Sequence, residues 1–160
     1  MIVIREYREA DLEPLRAIMN QVVARGDAFV YDQPLDADAM RRWIAMYANA
    51  FVAEHAGRVV GGYFLRPTFP GRGAHVCNAA YMVDEDARGL GVGRAMGEHS
   101  LAMAKSLGYK AMQFNAVVST NETAVALWRR LGFANIGTVP QAFRDATGRF
   151  VDPFIMHRFL

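Results

Sequence analysis

The chain has 160 residues and a mass of 17.8 kDa, and 52% of its residues are hydrophobic, which is enough for one domain with a full core and too little for two. Its 18 basic and 16 acidic residues leave a net charge of +2 and are mixed along the chain without a basic block, which argues against nucleic acid as a partner. The single cysteine, Cys77, excludes an intrachain disulfide, no apolar run approaches membrane-spanning length, and the opening Met1-Ile2-Val3-Ile4 is broken at once by Arg5 and Glu6. Neither a signal peptide nor a membrane span is predicted, and a cytoplasmic, reducing compartment is expected.

Taken in chain order, Ile2 to Arg5 reads as a short strand, and Leu12, Leu15, Ile18, Met19, Val22 and Val23 have the three-four spacing of an amphipathic helix closed by Gly26. Asp36 can cap a second helix with Met40, Trp43, Ile44 and Tyr47 on its apolar face. Phe51 to His55 and Val59 to Arg66 form a hairpin about Ala56-Gly57-Arg58. After the Pro67 to Gly73 loop, His75 to Val83 reads as a central strand, apolar on both faces.

A third helix is expected from about Gly91 to Leu107, with Val92, Met96, Met103 and Leu107 on one side and Gly108 as its stop. Ala111 to Val118 is a buried strand. Ser119 and Glu122 stand at capping-box spacing ahead of a fourth helix whose inward stripe is Ala124, Leu127, Trp128 and Leu131. Strands near Ile136 to Val139 and Phe150 to Leu160 are expected to form one long antiparallel hairpin around Asp145-Ala146-Thr147-Gly148. The order is βααβββαβαββ.

The segment with the most chemistry is Arg88-Gly89-Leu90-Gly91-Val92-Gly93-Arg94, which joins the apolar run ending in Val83 to the third helix. Gly91 and Gly93 allow a sharp turn and close approach to a ligand, so that successive N–H groups can point at one anion. The helix adds its positive dipole end. Arg88 and Arg94 bring fork-shaped donors that suit a pyrophosphate. The structural alternative is a solvated turn that caps a helix. A dinucleotide-binding turn fits poorly, since its third glycine would fall on Met96, and the Gly-Lys-Ser/Thr ending of a nucleotide triphosphate loop is missing.

This order and these residues resemble the GCN5-related N-acetyltransferases (GNAT) over nearly the whole chain. The family's Gln/Arg-x-x-Gly-x-Gly/Ala signature corresponds to Arg88, Gly91 and Gly93, with Val83 five residues ahead. A second signature begins at Asn121 and runs through Ala124, Leu127, Leu131, Gly132 and Phe133. The resemblance implies an α+β (mixed α/β) fold, in which a mostly antiparallel seven-stranded sheet splays between strands 4 and 5 and is flanked by four helices.

It also implies acetyl-CoA as cosubstrate, lying in that splay. Its pantetheine would pair with the backbone near Met82 and Val83, and its pyrophosphate would sit on Arg88, Gly89, Gly91, Val92, Gly93 and Arg94. Asn121 would bond the pantetheine arm or the substrate, or serve only as a helix cap. The amine attacks the thioester directly in this family, so Cys77 needs no catalytic part and is expected as core filler. Where many relatives carry a tyrosine that protonates the leaving thiolate, this chain has Trp128, which donates a hydrogen bond but supplies no proton and is expected beside the cofactor tail. Tyr81 or a water is the substitute donor, so Tyr81 and Asn121 are the catalytic candidates.

His75 is a conceivable relay or a satisfied core residue. The four histidines lack any ligand spacing, and no metal is expected. Cys77-Asn78-Ala79, Asn115, Asn121 and Gly137-Thr138-Val139-Pro140 resemble the yeast-type acetyltransferases of azetidine-2-carboxylate and related proline analogues. By that resemblance Asn78, Asn115 and Asn121 bind a small amino-acid-like amine, neutral amides being able to hold it without burying net charge. A phosphinothricin- or methionine-sulfone-type amino acid, a protein N-terminus, or a non-catalytic acetyl-CoA sensor are the other readings. A homodimer through the last strands or the splayed sheet is common in the family.

Overall fold

The computed structural model describes all 160 residues. Its order is β1 (Ile2–Glu6), α1 (Leu12–Arg25), α2 (Ala37–Ala45), β2 (Asn49–His55), β3 (Arg58–Pro67), β4 (Val76–Val83), α3 (Val92–Ser106), β5 (Ala111–Val118), α4 (Glu122–Arg130), β6 (Ala134–Thr138), β7 (Phe143–Arg144), β8 (Phe150–Val151) and β9 (Pro153–Phe159), with short 3-10 turns before α1, β4 and α3. Seven strands make one sheet in the order β1-β2-β3-β4-β5-β9-β6. Every pairing is antiparallel except β4 with β5. This is the mixed α/β GNAT fold, with its seven-stranded, mostly antiparallel sheet and four helices.

Alternation along the strands builds two cores, one on each face of the sheet. On one face, Leu15, Ile18, Met19 and Val22 of α1 and Met40 and Trp43 of α2 pack on Val52, Phe64 and Met82. On the other, Met96 of α3 and Trp128 of α4 pack on Tyr63, Leu65, Cys77, Met112, Phe114 and Met156. Cys77 is wholly buried, as core filler. Gly26 takes φ +64° and closes α1 with its N–H on the Val22 carbonyl, while the Asp36 side chain accepts from the Ala39 N–H at 2.7 Å and starts α2.

Several expectations need correction. Asn121, not Ser119, is the N-cap of α4, and its Oδ1 accepts from the Ala124 N–H at 3.2 Å. The fully buried positions of α4 are Val125 and Trp128, with Ala124, Leu127 and Leu131 half-buried around them. In α3 the inward line is Val92, Met96, Gly97, Ser100 and Ala104, with Met103 half-buried against the same core, whereas Leu107 is the C-cap past the last residue of the helix and is 46% exposed. The last strands are not one hairpin. β6 pairs with β9, while the Asp145 to Gly148 turn belongs to a separate small hairpin, β7 with β8, inserted between them. His75 is exposed just ahead of β4, outside both the core and the strand. No helix is long and apolar enough to cross a membrane.

Candidate acyl-transfer site

The sheet is opened by its one parallel pairing. β4 and β5 are in register only at Val76 with Ala111 and Cys77 with Met112; beyond these, no pairing joins them. Past Phe114 the β5 strand also breaks register with β9, and Asn115 and Ala116 are both exposed at that irregularity. The outcome is a trough between the C-terminal halves of two central strands, floored by backbone that makes no bond across it.

The glycine-rich loop closes one end of the trough and is held in shape before any ligand arrives. Asp84, buried at the end of β4, accepts from the Asp86 N–H and from Gln21 Nε2 and pairs with Arg58 at 3.2 Å. Gln21 Oε1 in turn accepts from the Glu85 N–H at 3.0 Å. Gly89 at φ +82° and Gly91 at φ +80° then turn the chain through the left-handed region, and Gly91 starts α3. The N–H groups of Gly89, Gly91, Val92, Gly93 and Arg94 make no hydrogen bond within the protein. Five free donors at a helix N-terminus are groups able to receive an anion.

Gly93 is demanded neither by its backbone nor by its surroundings. Its backbone is ordinary helix, and a Cβ there would lie 3.4 Å from Leu127 Cδ2 and 4.0 Å from Val83 Cγ2. Both are ordinary van der Waals distances, so a Cβ would fit. At Gly97, one turn on, the space is closed: a Cβ would come to 2.5 Å from Leu131 Cδ1 and 3.4 Å from Trp128 Cζ3, so this glycine lets the end of α4 pack on α3. Of the flanking arginines, Arg88 makes no ion pair, while Arg94 bonds Glu98 at 2.8 Å on the surface.

The trough has two unlike faces. Tyr81 points toward α3 and α4, where its ring packs on Trp128 with centroids 4.6 Å apart and its hydroxyl lies 2.7 Å from Ser100 Oγ. Ser100 donates to the Gly97 carbonyl, which leaves Tyr81 as the donor to Ser100. Burial pushes the Tyr81 phenol far up, so it is a weak acid. Trp128 is itself buried among Tyr81, Phe114 and Phe133. Burial likewise pushes the Cys77 thiol up to about 12, which suppresses the nucleophilic thiolate. The backbone of Met82 and Val83 edges the trough on β4, with the Met82 side chain buried beneath α1.

On the opposite face, which α1 and α2 partly cover, polar groups form a row across the sheet. Arg66 stands opposite Asn78, Cys77 opposite Met112, and Gln113 opposite His157, so Arg66, Asn78, Gln113 and His157 follow one another on that face. Asn115 is two residues along β5 on the same face, and its Oδ1 accepts from Gln113 Nε2 at 3.0 Å. Asn78 and Asn115 are therefore brought to one face of the parting strands. Asn121 stands beyond the end of β5 and reaches to the loop after α1, its Nδ2 donating to the Asp27 carbonyl at 3.3 Å.

Two features of this face escaped the sequence reading. Arg66 lies 5.0 Å above the Tyr47 ring, although its alternation with Phe64 on β3 was a signal for its side. The β7–β8 hairpin meets the loop after α1, where Arg144 pairs with Asp32 at 3.6 Å and Ala146 presses on Gly26; only tertiary structure joins segments so far apart. No group of three or more His, Cys, Asp or Glu residues could hold a metal ion.

Comparison with known proteins agrees with this architecture. N-acetyltransferase aca1 of Schizosaccharomyces pombe is 35% identical over 61% of this chain, which spans 47% of that protein. The L-methionine sulfoximine/L-methionine sulfone acetyltransferase of Pseudomonas aeruginosa is 30% identical over 93% of this chain and 89% of its own length. The solved structure of a GCN5-related N-acetyltransferase from Kribbella flavida superposes with a TM-score of 0.92 at 38% identity, covering 99% of this chain and 98% of the other. With its parted strands, its donor-lined loop and a match of residues 16–133 to the acetyltransferase (GNAT) family, the chain belongs to that family.

Proposed function

We propose that the protein transfers the acetyl group of acetyl-CoA directly to the amine of a small amino-acid-like acceptor, a proline analogue such as azetidine-2-carboxylate. The observation that carries this reading is the trough that opens beyond Cys77 and Met112 and ends on five unbonded N–H groups. A pyrophosphate at Arg88 to Arg94 would receive those donors, and a pantetheine arm would run as an extra strand along the backbone of Met82 and Val83. Gly93 would serve through its unbonded N–H, and Trp128 by walling the cofactor's side of the trough.

The acceptor would lie on the polar face among Asn78, Asn115 and Asn121. Its neutral nitrogen attacks the thioester carbonyl, a C–N bond forms, the C–S bond breaks, and CoA leaves as thiolate while the nitrogen gives up its proton to water. A thiol of pKa near 8.5 departing unprotonated at neutral pH forfeits about 2 kcal/mol, so catalysis survives with Trp128 in place of an acid. Tyr81, a weak acid bonded to Ser100, is poorly suited to supply that proton, and its part is to pack against Trp128.

A methionine-sulfone-type amino acid is the second reading, favoured by the length over which the Pseudomonas aeruginosa acetyltransferase aligns. Release of CoA thiol from acetyl-CoA, followed with azetidine-2-carboxylate, phosphinothricin, methionine sulfone and a short peptide as separate acceptors, tests both. Turnover confined to azetidine-2-carboxylate supports the first reading, and turnover of the sulfone the second. Acetyl-CoA binding with no release from any acceptor would replace both with a cofactor sensor.

A further inference from the structure

Arg66 is a half-buried cation with no carboxylate within ion-pair distance and no hydrogen bond of its own. Other part-buried arginines in the molecule are engaged: Arg5 with Asp11 and Glu54, Arg25 with Asp27 and Glu85, and Arg158 with the Leu131 carbonyl. Burying a guanidinium without an anion costs free energy, because a ring face returns only part of the lost hydration.

Its position is set by two strands and a helix. Phe64, two residues earlier on β3, packs on Trp43 and Tyr47 with centroids 4.7 and 5.6 Å away, and Tyr47, just past the end of α2, lies under the guanidinium. The ring supports the guanidinium from one side, and no N–H of the fork is bonded within the protein. Directly across the β3–β4 ladder is Asn78, at the point where β4 leaves β5. Paired side chains in such a ladder stand about 5 Å apart at Cβ, so the free fork and the Asn78 amide serve one small volume at the mouth of the trough.

A second observation lies on the same strand face. Thr68 continues the ladder, its N–H donating to the Val76 carbonyl at 2.8 Å, and by alternation it follows Phe64 and Arg66. Its hydroxyl oxygen is buried and has no hydrogen-bond partner. An unbonded cation and an amide face each other where two strands part, an unbonded hydroxyl follows one place along the same strand face beside the still-paired Val76, and no anion of the protein answers them.

We propose that Arg66, oriented by Tyr47 and assisted by Thr68, binds the α-carboxylate of the acceptor, so that the site selects free amino acids over simple amines and over peptide N-termini. This rests on the acetyl-transfer reading above. The carboxylate is the one group that a free amino acid carries beside its amine and that an internal peptide residue lacks. A guanidinium fork recognises it with two parallel hydrogen bonds, and Asn78 and Asn115 are left to orient the rest of the molecule.

The test compares azetidine-2-carboxylate with azetidine-2-carboxamide, which has the same amine and no charge, in the intact protein and in Arg66→Gln and Thr68→Val. The expected result is that Arg66→Gln raises KM for the acid by about thirtyfold, the loss of a charge-assisted bidentate contact, and leaves KM for the carboxamide within about twofold, while Arg66→Lys recovers part of the loss. Thr68→Val should raise KM for the acid by a smaller factor. An equal loss on acid and carboxamide, or an intact protein that turns over both equally well, overturns the inference while the acetyl-transfer reading stands. An intact protein that binds acetyl-CoA and acetylates neither azetidine nor the sulfone overturns both.

Discussion

The Asn121 amide spans two parts of the fold: its oxygen caps α4 through the Ala124 N–H at 3.2 Å, and its nitrogen donates to the Asp27 carbonyl at 3.3 Å. One side chain therefore fixes a helix start and ties it to the loop that follows α1.

These two tasks separate by mutation. Asn121→Ala loses both and is expected to lower stability by about 1 kcal/mol, the usual cost of an N-cap. Asn121→Ser keeps a capping oxygen but is too short to reach Asp27, so the unfolding free energy from urea titration should stay within about 0.5 kcal/mol of the parent while KM for the acceptor rises. A parent-like KM in the serine variant would show that the tie to Asp27 does not shape the acceptor side.

Asn115 is exposed at the irregularity of β5 and bonds only Gln113, so its removal leaves no buried group unsatisfied. Asn115→Ala should cut kcat/KM for the acceptor about tenfold, one neutral hydrogen bond's worth, with the Kd for acetyl-CoA unchanged by calorimetry. Equal weakening of acetyl-CoA would move Asn115 to the cofactor side.

Arg5 holds the buried Asp11 through two bonds of 2.8 Å and also reaches Glu54 at 2.6 Å. The Arg5 side-chain bonds hold the Asp11 carboxyl below its ordinary value. A depressed folded-state pKa adds stability that is complete above the unfolded value of about 3.9 and disappears as pH falls through the folded one. Arg5→Met should therefore cost about 2 kcal/mol at pH 7, with partial exposure of the pair reducing the full penalty for a stranded carboxylate. Denaturation titrations should show the deficit shrinking below about pH 4; a deficit independent of pH would assign it to packing.

Cys77 is wholly buried with its thiol pushed up to about 12 by desolvation, so thiolate is suppressed at pH 7. Cys77→Ala should keep kcat within about twofold and lose about 1 kcal/mol of stability for the missing sulfur, and iodoacetamide should leave the native protein active. Loss of turnover without loss of stability would point to a covalent step.

Elements governed by local rules were legible in the sequence. Asp36 and Gly26 act through their own neighbours, and Ala111 to Val118, an apolar run between turn residues, is β5 as expected. Spacing alone misplaced the cap of α4, because Ser119 belongs to the chain leaving β5, where its N–H donates to the Asp152 carbonyl, and the turn that admits a cap begins two residues later. Leu107 was read inward on its spacing, but the helix ends at Ser106 and leaves it exposed as the C-cap. Gly97 holds no motif position yet is required by Leu131, 34 residues on, a contact that no local pattern encodes. Arg66 was passed over for the same reason: its meaning comes from Tyr47 and Asn78, one from a helix and one from the neighbouring strand.

The parting of β4 from β5 has a consequence for the protein as a material. A sheet ordinarily keeps its unpaired edges at its margins, where charge or curvature guards them; here an unpaired edge lies in the middle, between Asn78 and Val83. Any chain that docks there gains a ready-made row of partners, so the unliganded protein carries its aggregation hazard at its centre. A ligand that completes the sheet removes the hazard and adds stability by mass action, about 2.7 kcal/mol at one hundred times its Kd. Solubility and melting temperature should then follow ligand concentration, and the amides of β4 should pass from fast to slow hydrogen exchange as the gap is filled.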